Sequence, residues 1–526
     1  MKERLVADWL TKAGERGGLD VAFCQVLLAR GHKILRAGHS PTEAGKDIIA
    51  VTPKRELHAY QVKSGDIDLK QFEKIQPQVT NLVMARILHP SVRRGSKHRP
   101  FLVTTGTFSL PVEATVQGLN DGWRRNGYEP LTLIRGTELQ PQFMALAADF
   151  WPEEPPDVRS FLTLYLAEGK GDFDHKAFTE FLRRLLPEEK LSKPVVARRI
   201  AAAGLFASYL LESFERQGDH WCAFCGWTIT AAHQAWAAEI YQLPSKAWKP
   251  SFLLTKTAAL ASLERLSTEA VEPKALVPPG TELDDYTRMR NTIAASAVAA
   301  WHLIQRRHGN ESQSLDKAIP LIHRLVRKNR LCFWSESALP NILSTFWFLE
   351  HSGRSWIGEE FLLHVLSRLA RSNQKLSVNP IKGPDVLPDD MLSALLKTLR
   401  HPEPRRGRRA PVSWSLESIL HLLVLRLRRQ AVKALWSDIT HVETASFRPN
   451  RIADMLLWHC EAGEEMERLP GKPQSWRELA EAARACNLAT LPTVIRDDPD
   501  FALMFILAYP HRASIDLVKA LDRWFG

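Results

Sequence analysis

The spacing of hydrophobic and polar positions changes near residue 150. Before it, helical periodicity in 19–30, 69–88, 112–126 and 139–150 alternates with β-branched or aromatic runs at 32–35, 47–51, 57–63, 101–105 and 130–134. The predicted order is α-β-β-β-α-β-α-β-α. This order predicts an α/β domain in which helices flank a mixed sheet.

Beyond Trp151 the alternation disappears and amphipathic helical runs dominate, which predicts a large all-α region. Proline-rich segments at 271–285 and 379–390 are candidate linkers. We therefore predict a first domain over 1–150, a helical subdomain over 151–270 and a helical C-terminal region over 286–526. No fixed repeat period is visible, although an array of degenerate helical repeats stays an alternative.

Composition narrows the class of protein. The chain has 70 Lys and Arg against 59 Asp and Glu, a net charge of +11, which favours a polyanionic partner such as nucleic acid. Six cysteines in 526 residues, mostly far apart, indicate a reducing compartment. No apolar run approaches the ~18 residues of a membrane span, and the N-terminus has charges within its apolar stretch. We therefore expect a cytoplasmic protein with no membrane partner.

The residues that suggest chemistry lie between Gly45 and Lys63. Asp47 opens one predicted strand, and Gln61 and Lys63 end the next. Alternation places Gln61 and Lys63 on one face, and a hairpin would bring Asp47 close to Lys63. A carboxylate and an amide oxygen suit Mg²⁺, while a lysine can orient a water and stabilise charge on a phosphate. The trio predicts phosphodiester hydrolysis.

These residues resemble the Mrr-like branch of the PD-(D/E)xK, or restriction-endonuclease-like, nuclease superfamily. The family pattern is a helix with an acid, a Gly, a strand, a loop, an Asp that opens a strand, and (E/Q)xK on the next strand. Asp20, Gly31, Asp47 and Gln61-Val62-Lys63 match it, and FLVTT matches a later strand of the family. The resemblance covers about residues 15–140. The chain departs from the family at Asp20, where Glu is usual, and at Glu43, where the loop often has more glycine.

The resemblance implies a Mg²⁺-dependent DNA endonuclease, with Mn²⁺ able to substitute. Asp47 would be the principal metal ligand, Gln61 the second, and Asp20 would support the metal or its water shell. Lys63 would position the water. Similar domains joined to unrelated modules are common in bacterial restriction and anti-phage defence, so the helical region is expected to sense a trigger or assemble with a partner.

Two basic loops are candidates for contact with the phosphate backbone. One is within the predicted nuclease domain and holds Arg93, Arg94, Lys97 and Arg99. The other holds Arg405, Arg406, Arg408 and Arg409 among Pro and Gly. The alternative for the second loop is an ordinary solvated surface loop, whereas the first is the stronger candidate because it joins two elements of the predicted nuclease domain.

Two weaker patterns favour structural roles. Cys222 and Cys225 form a CxxC with an incomplete second pair of ligands, so buried thiols on a helix are favoured over a zinc site. The sequence around Asp172, Asp174 and His175 lacks calcium-loop spacing and predicts a polar turn before a helix. No phosphate-binding loop of the GxxxxGK[ST] type is present, so an ATP-driven motor would have to be a separate protein.

Two other functions stay open. In the first, the nuclease fold is catalytically inactive and serves as a scaffold that binds nucleic acid and a partner protein. In the second, the enzyme acts on RNA or branched DNA, because the trio contacts phosphate rather than bases. A homodimer is expected for double-strand cleavage, since one such centre cuts one strand.

Overall fold

The computed structural model describes residues 2–14, 18–37, 45–93, 95–147, 155–166, 173–189, 191–272, 284–310, 315–372, 381–388, 390, 412–460, 462–468 and 475–526. Contacts divide the chain into two compact units, 1–262 and 263–526. The first unit contains both the sheet and the helices that follow it. The change at residue 150 is thus a change of secondary structure within one unit, and the domain boundaries at 150, 270 and 286 stay predictions.

The first unit is a mixed sheet with helices before, between and after its strands. Its elements are α1 (Lys2–Lys12), α2 (Asp20–Ala29), β1 (Lys33–Ala37), β2 (Ile48–Val51), β3 (Leu57–Lys63), α3 (Leu69–Met84), β4 (Arg99–Thr104), α4 (Leu110–Arg125), β5 (Thr132–Ile134), α5 (Gly136–Ala147), α6 (Pro155–Leu166), α7 (His175–Leu185), α8 (Lys193–Arg216), α9 (His220–Ile240) and most of α10 (Ser245–Ala270). The alternation predicted between residues 19 and 150 is confirmed for the residues of this range that the structure describes.

The five strands follow their chain order in space, β1-β2-β3-β4-β5. β1, β2 and β3 are antiparallel neighbours, whereas β4 and β5 run parallel to β3. The parallel strands are reached through α3 and α4, since parallel neighbours need a crossover. Both parallel strands and β3 therefore point their carboxyl ends toward one edge of the sheet.

Each face of the sheet is covered. On one face Leu57 and Ala59 of β3 share a buried cluster with Phe72 and Val79 of α3 and Val112 of α4. The opposite face is covered by α2, where the Phe23 ring packs edge-on against Tyr60 at 5.3 Å. Helix α2 is buried all round, from Val21 to Leu27, which is expected of a helix with packing partners on every side.

Helix α8 is the apolar centre of the helices that follow the sheet. It is the one helix of the described residues long and apolar enough to cross a membrane by length and composition, and 72% of its most apolar window is buried inside the unit. Ser208 of α8 accepts a hydrogen bond from Trp9 Nε1 at 3.2 Å, and the Tyr209 ring lies 4.6 Å from the Trp9 ring. These contacts are those of a core helix.

The second unit is mainly helical. After the end of α10, its described residues form α11 (Asp284–Arg307), α12 (Leu315–Arg327), α13 (Leu339–His351), α14 (Ser355–Ser372), α15 (Leu416–Leu425), α16 (Arg429–Ile439), β6 (Thr444–Pro449), β7 (Gly463–Arg468), α17 (Trp476–Arg484), α18 (Thr493–Asp497), α19 (Pro499–Ala508) and α20 (Ile515–Phe525), together with short 3-10 turns. The prediction of an all-α region is wrong in one respect, because β6 and β7 pair as an antiparallel hairpin. The β6 sequence TASFRP is mostly polar and only partly buried, so it has no strand-like alternation of apolar positions.

Candidate active site

The end of the β2–β3 hairpin opposite its turn places Asp47 beside residues 61–63. Ile48 pairs with Tyr60, and Asp47 comes directly before this first pair of the ladder. The Asp47 carboxylate Oδ2 accepts a 2.8 Å hydrogen bond from the Val62 backbone N–H. Since Val62 lies between Gln61 and Lys63, the structure brings the predicted acid to the segment that carries the amide and the amine.

The Gln61 side chain is buried, and its amide nitrogen has a hydrogen-bond partner whereas its amide oxygen has none in the described residues. It is 1% exposed, and its Nε2 donates a 2.6 Å hydrogen bond to Oε1 of Gln78 on α3. Its Oε1 has no hydrogen-bond partner among the residues that the structure describes. A buried acceptor without a donor loses the free energy of its hydration, so a cation or an ordered water at this oxygen would stabilise the site.

Lys63 ends β3, two residues beyond Gln61 and on the same face of the sheet by alternation. It is half-buried, while its neighbour in the parallel strand, Thr104, is fully buried. The amine-bearing side chain therefore leaves the sheet at the carboxyl end of β3. Asp47, Gln61 and Lys63 together present an acid, an amide oxygen and an amine at this edge.

Gly45 and Lys46, which precede Asp47, pack against α3, and Lys46 is hydrogen-bonded to it. Gly45 has φ +75°, and a Cβ at this position would lie 2.3 Å from the backbone oxygen of Gln78. Lys46 is 2% exposed and donates from Nζ to the Asn81 backbone oxygen at 2.9 Å. Burial lowers the pKa of Lys46 to about 8. Helix α3 thus fixes both the Gly45-Lys46-Asp47 segment and, through Gln78, the amide of Gln61.

Asp20 is the first residue of α2, on the other face of the sheet from Gln61 and Lys63. Its Oδ1 accepts a 2.8 Å hydrogen bond from the Val21 backbone N–H. A short turn joins α2 to β1, and Ala37 at the end of β1 pairs with Ile48, next to Asp47. Asp20 is therefore at the same end of the sheet as Asp47 but on the opposite face, and its role as a metal support stays a prediction.

The oxygen atoms at the site fit a hard divalent cation. The Asp47 carboxylate and the Gln61 amide oxygen are the ligand types that Mg²⁺ takes, with water completing its coordination. No group of three or more His, Cys, Asp or Glu side chains able to hold a metal occurs among the described residues. The site thus offers two protein oxygens rather than a closed cage, and Mg²⁺ commonly retains several waters.

The basic loop between α3 and β4 lies at the other end of the sheet. Arg99 pairs with His58 at the start of β3, whereas Lys63 is five residues further along the strand, roughly 17 Å away. Arg93, Lys97 and Arg99 are exposed and line a groove of about 670 Å³ with Arg55 of the β2–β3 turn. The structure does not bring these cations to Asp47, Gln61 and Lys63. Arg94, Arg405, Arg406, Arg408 and Arg409 lie outside the described residues, as does Glu43.

The weaker patterns are structural where they are described. Cys222 and Cys225 lie on α9 and form no disulfide in the described residues; Cys225 is buried as predicted, whereas Cys222 is half-buried. Asp219 caps this helix by accepting from the Cys222 N–H at 3.1 Å. Asp174 caps α7 in the same manner through the Ala177 N–H at 2.8 Å, which confirms the predicted polar turn before a helix. Asp172 lies outside the described residues.

Gln78 and Lys46 are the site residues that the sequence analysis did not select. Gln78 is an exposed glutamine on a mostly polar helix, so no periodicity separates it from its neighbours. Lys46 adjoins Asp47, but a buried lysine is rare and would not be expected from the sequence.

Comparison with protein families, with curated proteins and with solved structures gives no match to this chain.

Proposed function

We propose that this chain is a metal-dependent DNA endonuclease of the Mrr-like PD-(D/E)xK type. The observation that carries the proposal is the hydrogen bond from the Val62 N–H to the Asp47 carboxylate, because it joins the acid of one strand to the Gln-x-Lys segment of the next. The order and directions of β1 to β4 are compatible with the expected fold. The net charge of +11 favours a polyanionic substrate.

Asp47 and Gln61 would hold a Mg²⁺ ion through Oδ1 or Oδ2 and Oε1, and Mn²⁺ would substitute. When bound, the metal polarises the scissile phosphate and lowers the pKa of a coordinated water. Lys63 would orient that water and stabilise the negative charge that develops on the phosphate. Lys46 would not take part, since its Nζ is buried against the Asn81 carbonyl of α3.

The helical remainder would control or direct cleavage, as an effector in a bacterial restriction or anti-phage defence system. A second chain, either a copy of this one or a partner protein, would supply the second strand break. This setting is supported by the resemblance of residues 15–140 rather than by a particular contact, and it is tested by survival of cells under phage challenge.

The direct test is cleavage of supercoiled plasmid by purified protein with Mg²⁺ or Mn²⁺. Wild type is compared with Asp47→Ala and Lys63→Ala. Lys54→Ala is a matched control, because Lys54 is an exposed lysine in the turn at the other end of the same hairpin. We expect nicking or linearisation by wild type and Lys54→Ala, and a loss of at least about 100-fold in both site variants.

Other outcomes would favour one of the two alternatives, a nuclease for RNA or branched DNA or a catalytically inactive scaffold. Cleavage of RNA or of branched DNA, but not of plasmid, would support the proposed catalytic residues but replace plasmid-like duplex DNA as the substrate. If wild type is inert in vitro, phage protection is measured in cells with the same four proteins. Protection that survives Lys63→Ala and Asp47→Ala would identify a scaffold and overturn the nuclease.

A further inference from the structure

The second unit contains a cavity of about 780 Å³ between the β6 strand, α15, α17 and the segment 510–519. This volume is in the range of sites for small organic ligands, which occupy about 300–1,000 Å³. The cavity is lined by three basic and two acidic side chains and by aromatic rings. None of these residues belongs to the candidate active site of the first unit.

A buried cation lies in the wall of this cavity. Arg512 is 8% exposed, and its Nε and Nη2 donate to the backbone oxygens of Leu457 and Trp458 at 3.0–3.2 Å. The guanidinium also lies over the Phe447 ring at 5.0 Å. Within the described part of the chain it makes no ion pair, and its Nη1 makes no hydrogen bond. Asp385 and Asp454 act on its charge from beyond ion-pair distance, and Asp454 is itself paired with Arg451 at 2.8 Å. Burial destabilises a cation that no carboxylate contacts, so an anion in the cavity would offset that cost.

The remaining charges of the wall do not replace such an anion. Asp516 already accepts hydrogen bonds on both oxygens, from Asn487 N and Thr490 Oγ1 at 3.0 Å each. Glu417 lies 4.0 Å from His421 Nε2. Arg448 adds a second, exposed cation at the rim. It faces Glu464 across the β6–β7 ladder, but no ion pair joins the two in the described structure.

The same cavity contains a tryptophan against which a planar ring of a ligand could stack. Trp414 lines it and is half-buried, and its indole has no aromatic partner among the described residues. Its backbone N–H donates to Oε2 of the buried Glu336 at 2.6 Å, which fixes the backbone from which the indole extends. A half-buried indole in the cavity wall offers a surface on which an aromatic ring of a ligand can stack.

We propose that this cavity binds a nucleoside phosphate, with the phosphate at Arg512 and Arg448 and the base at Trp414. Guanidinium groups bind phosphate through charge-assisted hydrogen bonds, and the bases are planar rings of the required size. The proposal is independent of the nuclease assignment, because it uses residues of the second unit only.

Isothermal titration of the full chain with AMP, GMP, CMP and UMP tests the proposal, with adenosine and inorganic phosphate as separate probes. We expect at least one nucleotide to bind with 1:1 stoichiometry, and its nucleoside and free phosphate to bind at least about 10-fold more weakly. Arg448→Ser and Trp414→Leu should each weaken the nucleotide at least about 10-fold. Arg496→Ser is the control, since Arg496 is an exposed arginine of the same unit that does not line the cavity.

Arg512→Lys keeps a cation but loses the planar fork, so it should also weaken binding. Because Arg512 ties two backbone carbonyls, this variant is accompanied by a thermal unfolding curve, and Arg448→Ser keeps the test valid if it unfolds. The proposal is overturned if no nucleotide saturates the wild type below about 10 mM, or if Arg448→Ser and Trp414→Leu bind like wild type. Phosphate binding as tight as the nucleotide would overturn the role of Trp414.

Discussion

Gly45 provides a sharp test of how α3 fixes the candidate site. A Cβ at this position would lie 2.3 Å from the Gln78 backbone oxygen and 3.1 Å from its carbon, against an ordinary contact of at least 3.4 Å. An alanine would therefore force Gly45 and α3 apart by about 1 Å. It would also occupy φ +75°, a left-handed conformation that an L-residue adopts at a cost of about 1–2 kcal/mol.

Gly65 is a matched control two residues after Lys63. Its φ is +76°, almost the same as that of Gly45, but a Cβ there would meet nothing within 4 Å. Gly65→Ala should thus destabilise the protein by about 1–2 kcal/mol from backbone strain alone. Gly45→Ala adds overpacking against α3, worth about 1–3 kcal/mol more. The difference between the two variants isolates the close approach between the Gly45 segment and Gln78.

The free energy of unfolding is measured by urea denaturation followed by circular dichroism, and cleavage is measured on plasmid. Displacement of Asp47, two residues from Gly45, should lower cleavage by Gly45→Ala about 100-fold, since a 1 Å misplacement of a reacting group has that effect. Equal stability of Gly45→Ala and Gly65→Ala would refute the packing of this segment on α3. Equal cleavage by the two, with unequal stability, would show that Asp47 does not depend on it.

Three more outcomes test other parts of the structure. Gln78→Leu removes the acceptor that anchors Gln61 and should raise the Mg²⁺ concentration for half-maximal cleavage about 10-fold, whereas Gln78→Glu retains an acceptor; equal Mg²⁺ curves would contradict this. Arg93→Glu with Lys97→Glu should make the slope of log K against log salt for DNA binding less negative by about 2. An unchanged slope in gel-shift titrations would show that this loop does not contact DNA. Burial raises the pKa of Glu336 from 4.5 to about 7, so the folded state keeps a proton that the unfolded chain loses in this window. The urea stability of wild type should therefore fall as pH rises from about 4.5 to about 7, by on the order of 3 kcal/mol, and Glu336→Gln should flatten that fall; parallel curves would exclude Glu336 as the cause.

The sequence predicts the sheet well because each strand is short, apolar and bounded by turn residues. The range 57–63 agrees with β3 residue for residue. Helix boundaries are less accurate where apolar periodicity continues into a loop. The predicted helix over 69–88 ends at Met84, where the backbone of Ala85 becomes extended. Ile87 is buried in the following loop and Leu88 is exposed, so their apolar character does not mark a helix. Helix α1 was not predicted, although Val6, Trp9 and Leu10 are buried at helical spacing.

The convergence of Asp47 with Gln61 and Lys63 follows from hairpin geometry, so it could be predicted without a structure. What holds these residues in place could not. Gln78 reaches Gln61 only because α3 crosses back over β3, and a contact across 17 residues of sequence leaves no local pattern. The position of the Arg93–Arg99 loop depends on the parallel pairing of β4 with β3, which the sequence does not specify.

The helix that begins at Asp20 connects the sheet to the helices that follow it. Its Phe23 contacts Tyr60 of the sheet, while its Gln25 is buried and hydrogen-bonded to Ser251 of α10. Gly204 of α8 leaves room for this glutamine, since a Cβ there would lie 2.5 Å from Gln25 Nε2. A buried polar contact of this kind is costly to break, because both partners would lose their hydrogen bonds without water to replace them. A shift of α8 or α10 would therefore move α2, and with it the face of the sheet opposite Gln61 and Lys63. Through Phe23 and Gln25, α2 thus links α8 and α10 to the sheet by direct contacts in addition to the chain connection.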